Sequence, residues 1–267
     1  MHLKSKNGHN IKLQNRPIPE VHLLDMPSVI KIHPNNFPGI KPKLLVSEGD
    51  TVKKGQPIYF DKKNPEVMFA SFLPGIISEI VYGDKRSIDT ITLNVDELLG
   101  EISYEKFDKS TIKQLNRDKV QEILCSSGTW PLIRKRPFSK IPDTRSTPIA
   151  IYITTQSTGP YAPSINVILD YINFEYLQAG IDVLSLFIDN SINMVCPHNV
   201  PLEKLKLLTD INLHTFSGPH PSGNVGYHIS NISPIKDMGP ITALFGDAKA
   251  IDVKKNNTYK IIFKNEK

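Results

Sequence analysis

Between residues 44 and 80 the chain reads LLVSEGDTVKKGQPIYFDKKNPEVMFASFLPGIISEI, short apolar pieces alternating with turn residues at a spacing too tight for helices. Glu48-Gly49-Asp50 and Lys54-Gly55-Gln56 mark two sharp reversals, because glycine accepts a positive φ without a Cβ penalty. Val52 is the one apolar anchor between them. Strands this short and this close bury a core only by folding back as a small β-sandwich or flattened barrel. Counting inwards from Gly49 and Gly75 places the tip of the central hairpin near Asn64-Pro65, with Lys62 and Lys63 on its flank as solvated charges.

Upstream, residues 1–42 are broken by Pro17, Pro19, Pro27, Pro34, Pro38 and Pro42, which excludes long helices and predicts a strand pair packing on the barrel. Downstream the period changes. Val120, Ile123 and Leu124 fall on one helical face, and Gly128 supplies a stop. Ile149 to Ile153 is an unbroken apolar run suited to a buried parallel strand. Val167, Ile168, Tyr171, Phe174 and Leu177 then predict a helix over 163–179 closed by Gly180. A strand over Ile192 to Cys196, a short helix marked by Leu202, Leu205 and Leu208, and a strand over Ile211 to Phe216 complete a β-α-β-α-β order. That order predicts a doubly wound, Rossmann-like α/β layer. The expected division is 1–100 for the barrel with its extension, 101–147 for a helical linker and basic loop, 148–234 for the α/β domain, and 235–267 for a tail.

Composition narrows the function classes. The chain has 267 residues, 39% hydrophobic and 8% aromatic, enough for real cores. A net charge of +5 permits an anionic partner or a membrane surface but is too diffuse to imply nucleic acid. Cys125 and Cys196 stand far apart with no companion ligand, so they read as buried fillers in a reducing setting rather than a metal or cluster site. His2, His9, His22 and His33 lack ligand spacing. Residues 1–10 are polar, giving no signal peptide, and no apolar run reaches the ~18 residues that cross a bilayer.

Ligands of open α/β sheets bind beyond the carboxyl ends of the strands. The loop Thr154-Thr155-Gln156-Ser157-Thr158-Gly159-Pro160 has no glycine fingerprint for a dinucleotide, and Gly218-Pro219-His220-Pro221-Ser222-Gly223 carries two prolines where a phosphate cradle needs amides. The densest chemistry lies in WPLIRKRPFSKIPDTRST, residues 130–147. Here Arg134, Lys135, Arg136, Lys140 and Arg145 face a single acid, Asp143, with Trp130 and Phe138 interleaved. Such groups can stack on a planar electron-accepting headgroup and steady a developing quinol anion. A solvated crossover or a protein contact uses the same residues equally well. His220 and His228 flank the second loop; either a proton donor to a quinone oxygen or a structural loop histidine fits that position.

Two resemblances rest on these residues. Glu48-Gly49-Asp50, Val52, Gly55-Gln56 and Gly75-Ile76-Ile77 resemble the barrel-sandwich hybrid of lipoyl and biotinyl carrier domains, which carry a modifiable lysine at a hairpin tip. As an ordered set, Pro42, Glu48-Gly49-Asp50, Val52 to Gln56, Asp61-Lys62-Lys63-Asn64-Pro65, Ser127-Gly128, Trp130, Arg136-Pro137-Phe138-Ser139-Lys140, Gln178-Ala179-Gly180 and Gly218-Pro219-His220-Pro221 resemble a wider family. That family is the A subunit of the bacterial sodium-translocating NADH:quinone oxidoreductase, matched over about 1–234.

The resemblance implies a fold of α/β plus β like the flavin subunit of respiratory complex I, without its flavin site. It implies a peripheral subunit on the cytoplasmic face of the bacterial inner membrane. Its partners would be the other subunits of the complex, especially a membrane subunit, with ubiquinone as the complex's substrate and no nucleic acid. No catalytic residue, metal ligand, flavin or iron–sulfur centre is expected in this chain; flavins and an iron–sulfur centre belong to partner subunits. Arg134, Arg136, Phe138 and Lys140 become the expected quinone contacts, with His220 a further candidate. Family members run on well past residue 267, so 235–267 is expected to be divergent or the chain shortened. A free-standing lipoyl- or biotin-like carrier is the alternative. A ferredoxin-linked electron-transport subunit would need Cys-x-x-Cys motifs, which are absent.

Overall fold

The computed structural model describes residues 1–13, 18–234, 241–244 and 259–260. It divides into two compact units, Met26–Ser146 and the combination of Met1–Asp25 with Thr147–Lys267.

Met26–Ser146 contains two facing sets of antiparallel strands. One runs in the order Val29–Ile32, Ile88–Val95, Gly75–Tyr82, Thr51–Val52; the other in the order Pro42–Leu44, Pro57–Asp61, Asn64–Ala70. Alternate inward positions supply the core: Val52, Ile58, Tyr59, Val67, Ile77, Ile91 and Leu93 are all buried. Gly49 and Gly55 take the expected left-handed φ, +89° and +83°. Their amides close the reversals on Ile77 O at 2.8 Å and Ser71 O at 2.7 Å. This is the small β-sandwich anticipated from the glycine spacing, and it agrees with the barrel-sandwich hybrid that the resemblance implies.

The hairpin tip is elsewhere than expected. Asp61 pairs with Asn64, so Lys62 and Lys63 form a two-residue turn and occupy the tip themselves. Two causes are visible. Buried Asp61 accepts from the amides of Lys41, at 2.8 Å, and Lys63, at 3.1 Å, which pins the turn one step early. Pro65 is then free to sit in Asn64–Ala70, an edge strand where a missing N–H costs little.

The helix Arg117–Ser126 begins on an Asn116 cap, whose side chain accepts from Asp118 N at 2.7 Å, and it buries Val120 and Cys125. Gly128 packs so closely on Ala70 that an added Cβ would stand 2.8 Å from its amide nitrogen. The expected linker is therefore part of the barrel unit.

In the second unit, parallel strands run in the order His2–Lys4, Ile211–Ser217, Ile192–Pro197, Ile151–Thr154, Ile241–Leu244. The expectation that residues 1–42 pack on the barrel holds from Met26 onward, where Val29–Ile32 pairs with Ile88–Val95, but the N-terminal strand overturns it for the start of the chain. His2, Leu3 and Lys4 pair in parallel with Thr215, Phe216 and Ser217. Leu3 is buried with Ala150, Tyr152, Val195, Phe216, Val225 and Ile229. A three-residue strand shows no period of its own, so this placement is set by the core that Leu3 joins.

The expected single helix over 163–179 is two helices, Ile165–Tyr171 and Phe174–Ser185. Asn173 restarts the helix by accepting from Glu175 N at 2.9 Å, and Gly180 lies inside it rather than ending it. The apolar stripe continues through Ile181, which is buried, and tertiary burial overrides the weak stop. Of the expected tail over 235–267, only Ile241–Leu244 and Tyr259–Lys260 fall among the described residues.

Candidate functional site

The basic segment of the barrel unit folds as a small hairpin. Ile133–Arg136 is a strand, and Lys135 exchanges both backbone hydrogen bonds with Lys140, at 2.6 and 3.2 Å. A cis Arg136-Pro137 bond and Ser139 at φ +52° turn the chain between them. The turn thrusts Phe138 outward, leaving its side chain 72% exposed, with Lys140 Nζ 5.9 Å from the ring centroid. Arg136 is half-buried beside it, and Lys140 is exposed.

Arg134 faces elsewhere. Its guanidinium lies over Phe37, 5.0 Å from the centroid, and Nη1 donates to Pro131 O at 2.7 Å. Burial pulls its pKa below the usual arginine value. The hairpin therefore gathers Arg136, Phe138 and Lys140 at one tip and assigns Arg134 to its base. Trp130 is buried, its Nε1 donating to Pro142 O at 3.0 Å, and it anchors the segment rather than joining the tip. Arg145 holds Asp143 through Nε at 3.3 Å, and its own amide donates to the same carboxylate at 2.9 Å, so the Asp143 pKa falls below the ordinary carboxylate value.

His220 belongs to the α/β unit, in the loop that follows Ile211–Ser217. The amide of Gly223 donates to Thr158 Oγ1 at 3.1 Å, and Thr158 Oγ1 lies 3.1 Å from His220 Nδ1. The loop's amides are already engaged: His220 N donates to Asn10 Oδ1, Ser222 N to Pro219 O, Gly223 N to Thr158 and Asn224 N to Pro221 O. A phosphoryl group there meets no free amide at these four positions.

His228 is fully buried in the helix Val225–Ile232 and is structural. Its Nε2 donates to Ser222 O at 2.8 Å, which leaves Nδ1 to accept from the Thr154 hydroxyl at 3.2 Å. Burial, reinforced by His214, pushes its pKa down to about 4. Cys125 and Cys196 are buried thiols whose pKa values burial raises to about 12 and about 11. Among the described residues no three histidine, cysteine or acidic side chains gather to hold a metal, and no helix is long and apolar enough to cross a membrane.

The hairpin tip, with one aromatic ring among cations, can dock against a planar headgroup or an acidic neighbouring protein. Sequence reasoning missed a shallow open depression at the carboxyl edge of the parallel sheet, where residues 4–8 meet Pro221 and Tyr227. Only the unforeseen pairing of the N-terminal strand creates it.

A family model described as the NqrA N-terminal barrel-sandwich hybrid domain matches residues 3–96, and one described as the NqrA second alpha/beta domain matches residues 115–241. The A subunit of the Na(+)-translocating NADH-quinone reductase of Tolumonas auensis is 34% identical over 231 residues, covering 86% of this chain and 51% of its own. Its counterpart in Neisseria meningitidis serogroup B is 35% identical over 238 residues, covering 87% and 52%. That of Haemophilus influenzae is 32% identical over 235 residues, covering 86% and 51%. The chain spans about half the length of these curated relatives.

Proposed function

The chain belongs to the NqrA family, and from that premise we propose that it is one subunit of a sodium-translocating NADH:quinone reductase, serving the quinone-reduction step. The observation that carries the reading is the run of two NqrA domain models, in order, along most of one chain. In this reading it sits peripherally on the cytoplasmic face of the membrane, against a membrane subunit of the complex. NADH oxidation and the flavin and iron–sulfur chemistry stay with the partners. The chain's own residues supply positioning. Phe138 offers a flat apolar face, and Arg136 and Lys140 offer cations that favour the anionic character of a reduced headgroup. Arg134 braces the hairpin from below through Phe37 and Pro131. In the α/β unit His220 is a separate candidate: with Nδ1 engaged by Thr158, its Nε2 would be left as a proton donor.

The test is made in the assembled complex. A tagged chain should co-purify with flavin-containing membrane subunits, and recovery of only the free chain from cells that express them would overturn the assignment. Arg136→Ala with Phe138→Ala should raise the KM for ubiquinone about tenfold while NADH oxidation by a soluble artificial acceptor is unchanged. An unaltered KM would remove the hairpin from the quinone step.

One observation favours a second reading. Lys62 and Lys63 occupy the hairpin tip, as the modified lysine of a carrier domain does. Both lysines are exposed, but Lys63 Nζ is tied to Gly39 O, which makes Lys62 the acceptor in that reading. Intact mass separates the two, since lipoylation or biotinylation adds a fixed increment.

A further inference from the structure

Three segments of the barrel unit that lie far apart in sequence meet at one corner. Phe37 carries the Arg134 guanidinium 5.0 Å from its ring centroid, and two residues on the Gly39 carbonyl holds the Lys63 ammonium. Next to Lys63, Asn64 Oδ1 accepts from the Thr144 hydroxyl at 3.3 Å. Residues 37–41, the turn 61–64 and the basic segment 133–146 are therefore neighbours within one compact unit.

This corner holds the chain's positive charge. The three stretches contain eight lysines and arginines against two acids, a net of six, whereas the whole chain nets +5. All other residues together are thus one charge negative. Of the two acids, Asp61 is buried on the amides of Lys41 and Lys63, and Asp143 is taken up by Arg145. Lys41, Lys62, Lys63 and Lys140 are all exposed. Lys135 pairs directly across the hairpin from Lys140, so these two side chains leave the same face. Phe138 stands out at the hairpin's end, its ring exposed and 5.9 Å from Lys140 Nζ.

Protruding turns with long cationic side chains and one apolar ring suit a yielding anionic plane. A protein partner would need a hollow shaped to two separate turns, whereas a bilayer gives way around Phe138 and spreads headgroup charge over the whole area. Single-stranded nucleic acid is bound by successive aromatic platforms, and these stretches expose a single ring. Attraction to a charged surface reaches about 10 Å at 0.1 M salt, so the cations need not each touch a headgroup.

We propose that this corner of the barrel unit docks on an anionic lipid bilayer, the cations against its headgroups and Phe138 in the interface. The surface shares its hairpin with the quinone reading but extends beyond it to Lys41, Lys62 and Lys63. It depends on neither quinone nor a partner subunit.

The full chain is sedimented with vesicles of phosphatidylglycerol and, as control, of phosphatidylcholine. It should bind the anionic vesicles at least about tenfold more tightly and leave them at about 0.5 M salt. Lys41→Gln with Lys62→Gln should cost about tenfold, and Lys41→Arg with Lys62→Arg should restore the binding. Both lysines are exposed, so these variants keep their fold. Phe138→Trp should emit further to the blue on the anionic vesicles and be quenched by brominated acyl chains. Neither lysine belongs to the quinone contacts and the vesicles hold no quinone, so failure here leaves that reading standing. Equal binding to both lipids, an unaffected Lys41→Gln, Lys62→Gln variant, or no blue shift from Phe138→Trp would each overturn the docking. So would polyglutamate bound as tightly as the anionic vesicles, which would assign the corner to an acidic protein.

Discussion

The Thr154 hydroxyl and the His228 Nδ1 lie 3.2 Å apart beneath the carboxyl edge of the parallel sheet. Nε2 on the far side of the ring is committed to Ser222 O at 2.8 Å. The imidazole thus bridges the end of one strand and the loop leaving another, and burial favours its neutral form.

Acid should weaken the α/β unit through this ring. Burial holds the folded pKa of His228 at about 4, below the ordinary 6.5, so the unfolded chain binds the proton more readily. Stability contributed by the neutral ring is complete above about pH 6.5, is lost as pH falls towards 4, and changes no further below that. His214 is lowered in the same direction by burial and by the terminal ammonium, so it adds to the slope. The loss from His228 is about 3 kcal/mol. Amide exchange of the strand Ile192–Pro197 between pH 7 and pH 4 measures it, and His228→Gln should flatten the curve to the share left by His214.

Gly218→Ala tests the seam between the N-terminal strand and the loop that carries His220. At φ +122° a side chain is strained, and its Cβ would stand 2.4 Å from Ser5 O. The backbones must part, which undoes the Ser5 to Ser217 hydrogen bond. A loss of about 2–4 kcal/mol is expected. It is seen as faster amide exchange at Leu3 and Ser5 with the barrel unit unchanged.

Local chemistry made the barrel legible. Gly49 and Gly55 had to turn, and Val52 between them had to point inward; all three do. The strands Ile151–Thr154, Ile192–Pro197 and Ile211–Ser217 were legible because buried parallel strands are apolar without interruption. What failed depended on distant partners. Leu3 reaches Phe216 and Ala150 from far along the chain, and Lys62-Lys63 became a tip because Asp61 bonds back to Lys41. The site divided in the same way: adjacent residues put Arg136, Phe138 and Lys140 together, but Arg134 was claimed by Phe37, nearly a hundred positions earlier.

Trp130→Phe should loosen the base of the hairpin. The indole is buried, and its N–H is given to Pro142 O, so the smaller ring leaves a void and an unpaired carbonyl. A cost of about 2–3 kcal/mol is expected. Because this is the chain's one tryptophan, the variant is followed by circular dichroism in urea rather than by fluorescence.

Asp61 offers the sharpest test of how the lysine tip is built. One oxygen, Oδ1, accepts both the Lys41 amide at 2.8 Å and the Lys63 amide at 3.1 Å, and the side chain is buried. Asp61→Ala leaves two amides without an acceptor and should cost the barrel unit about 2–3 kcal/mol. Asp61→Asn keeps a carbonyl oxygen in the same place and should cost under about 1 kcal/mol. The fluorescence of Trp130, which lies in the same unit, reports both in urea. Exchange at the Lys41 and Lys63 amides should quicken in the alanine variant and stay slow in the asparagine one. Equal losses in the two variants would mean that the negative charge, and not the acceptor, holds the turn.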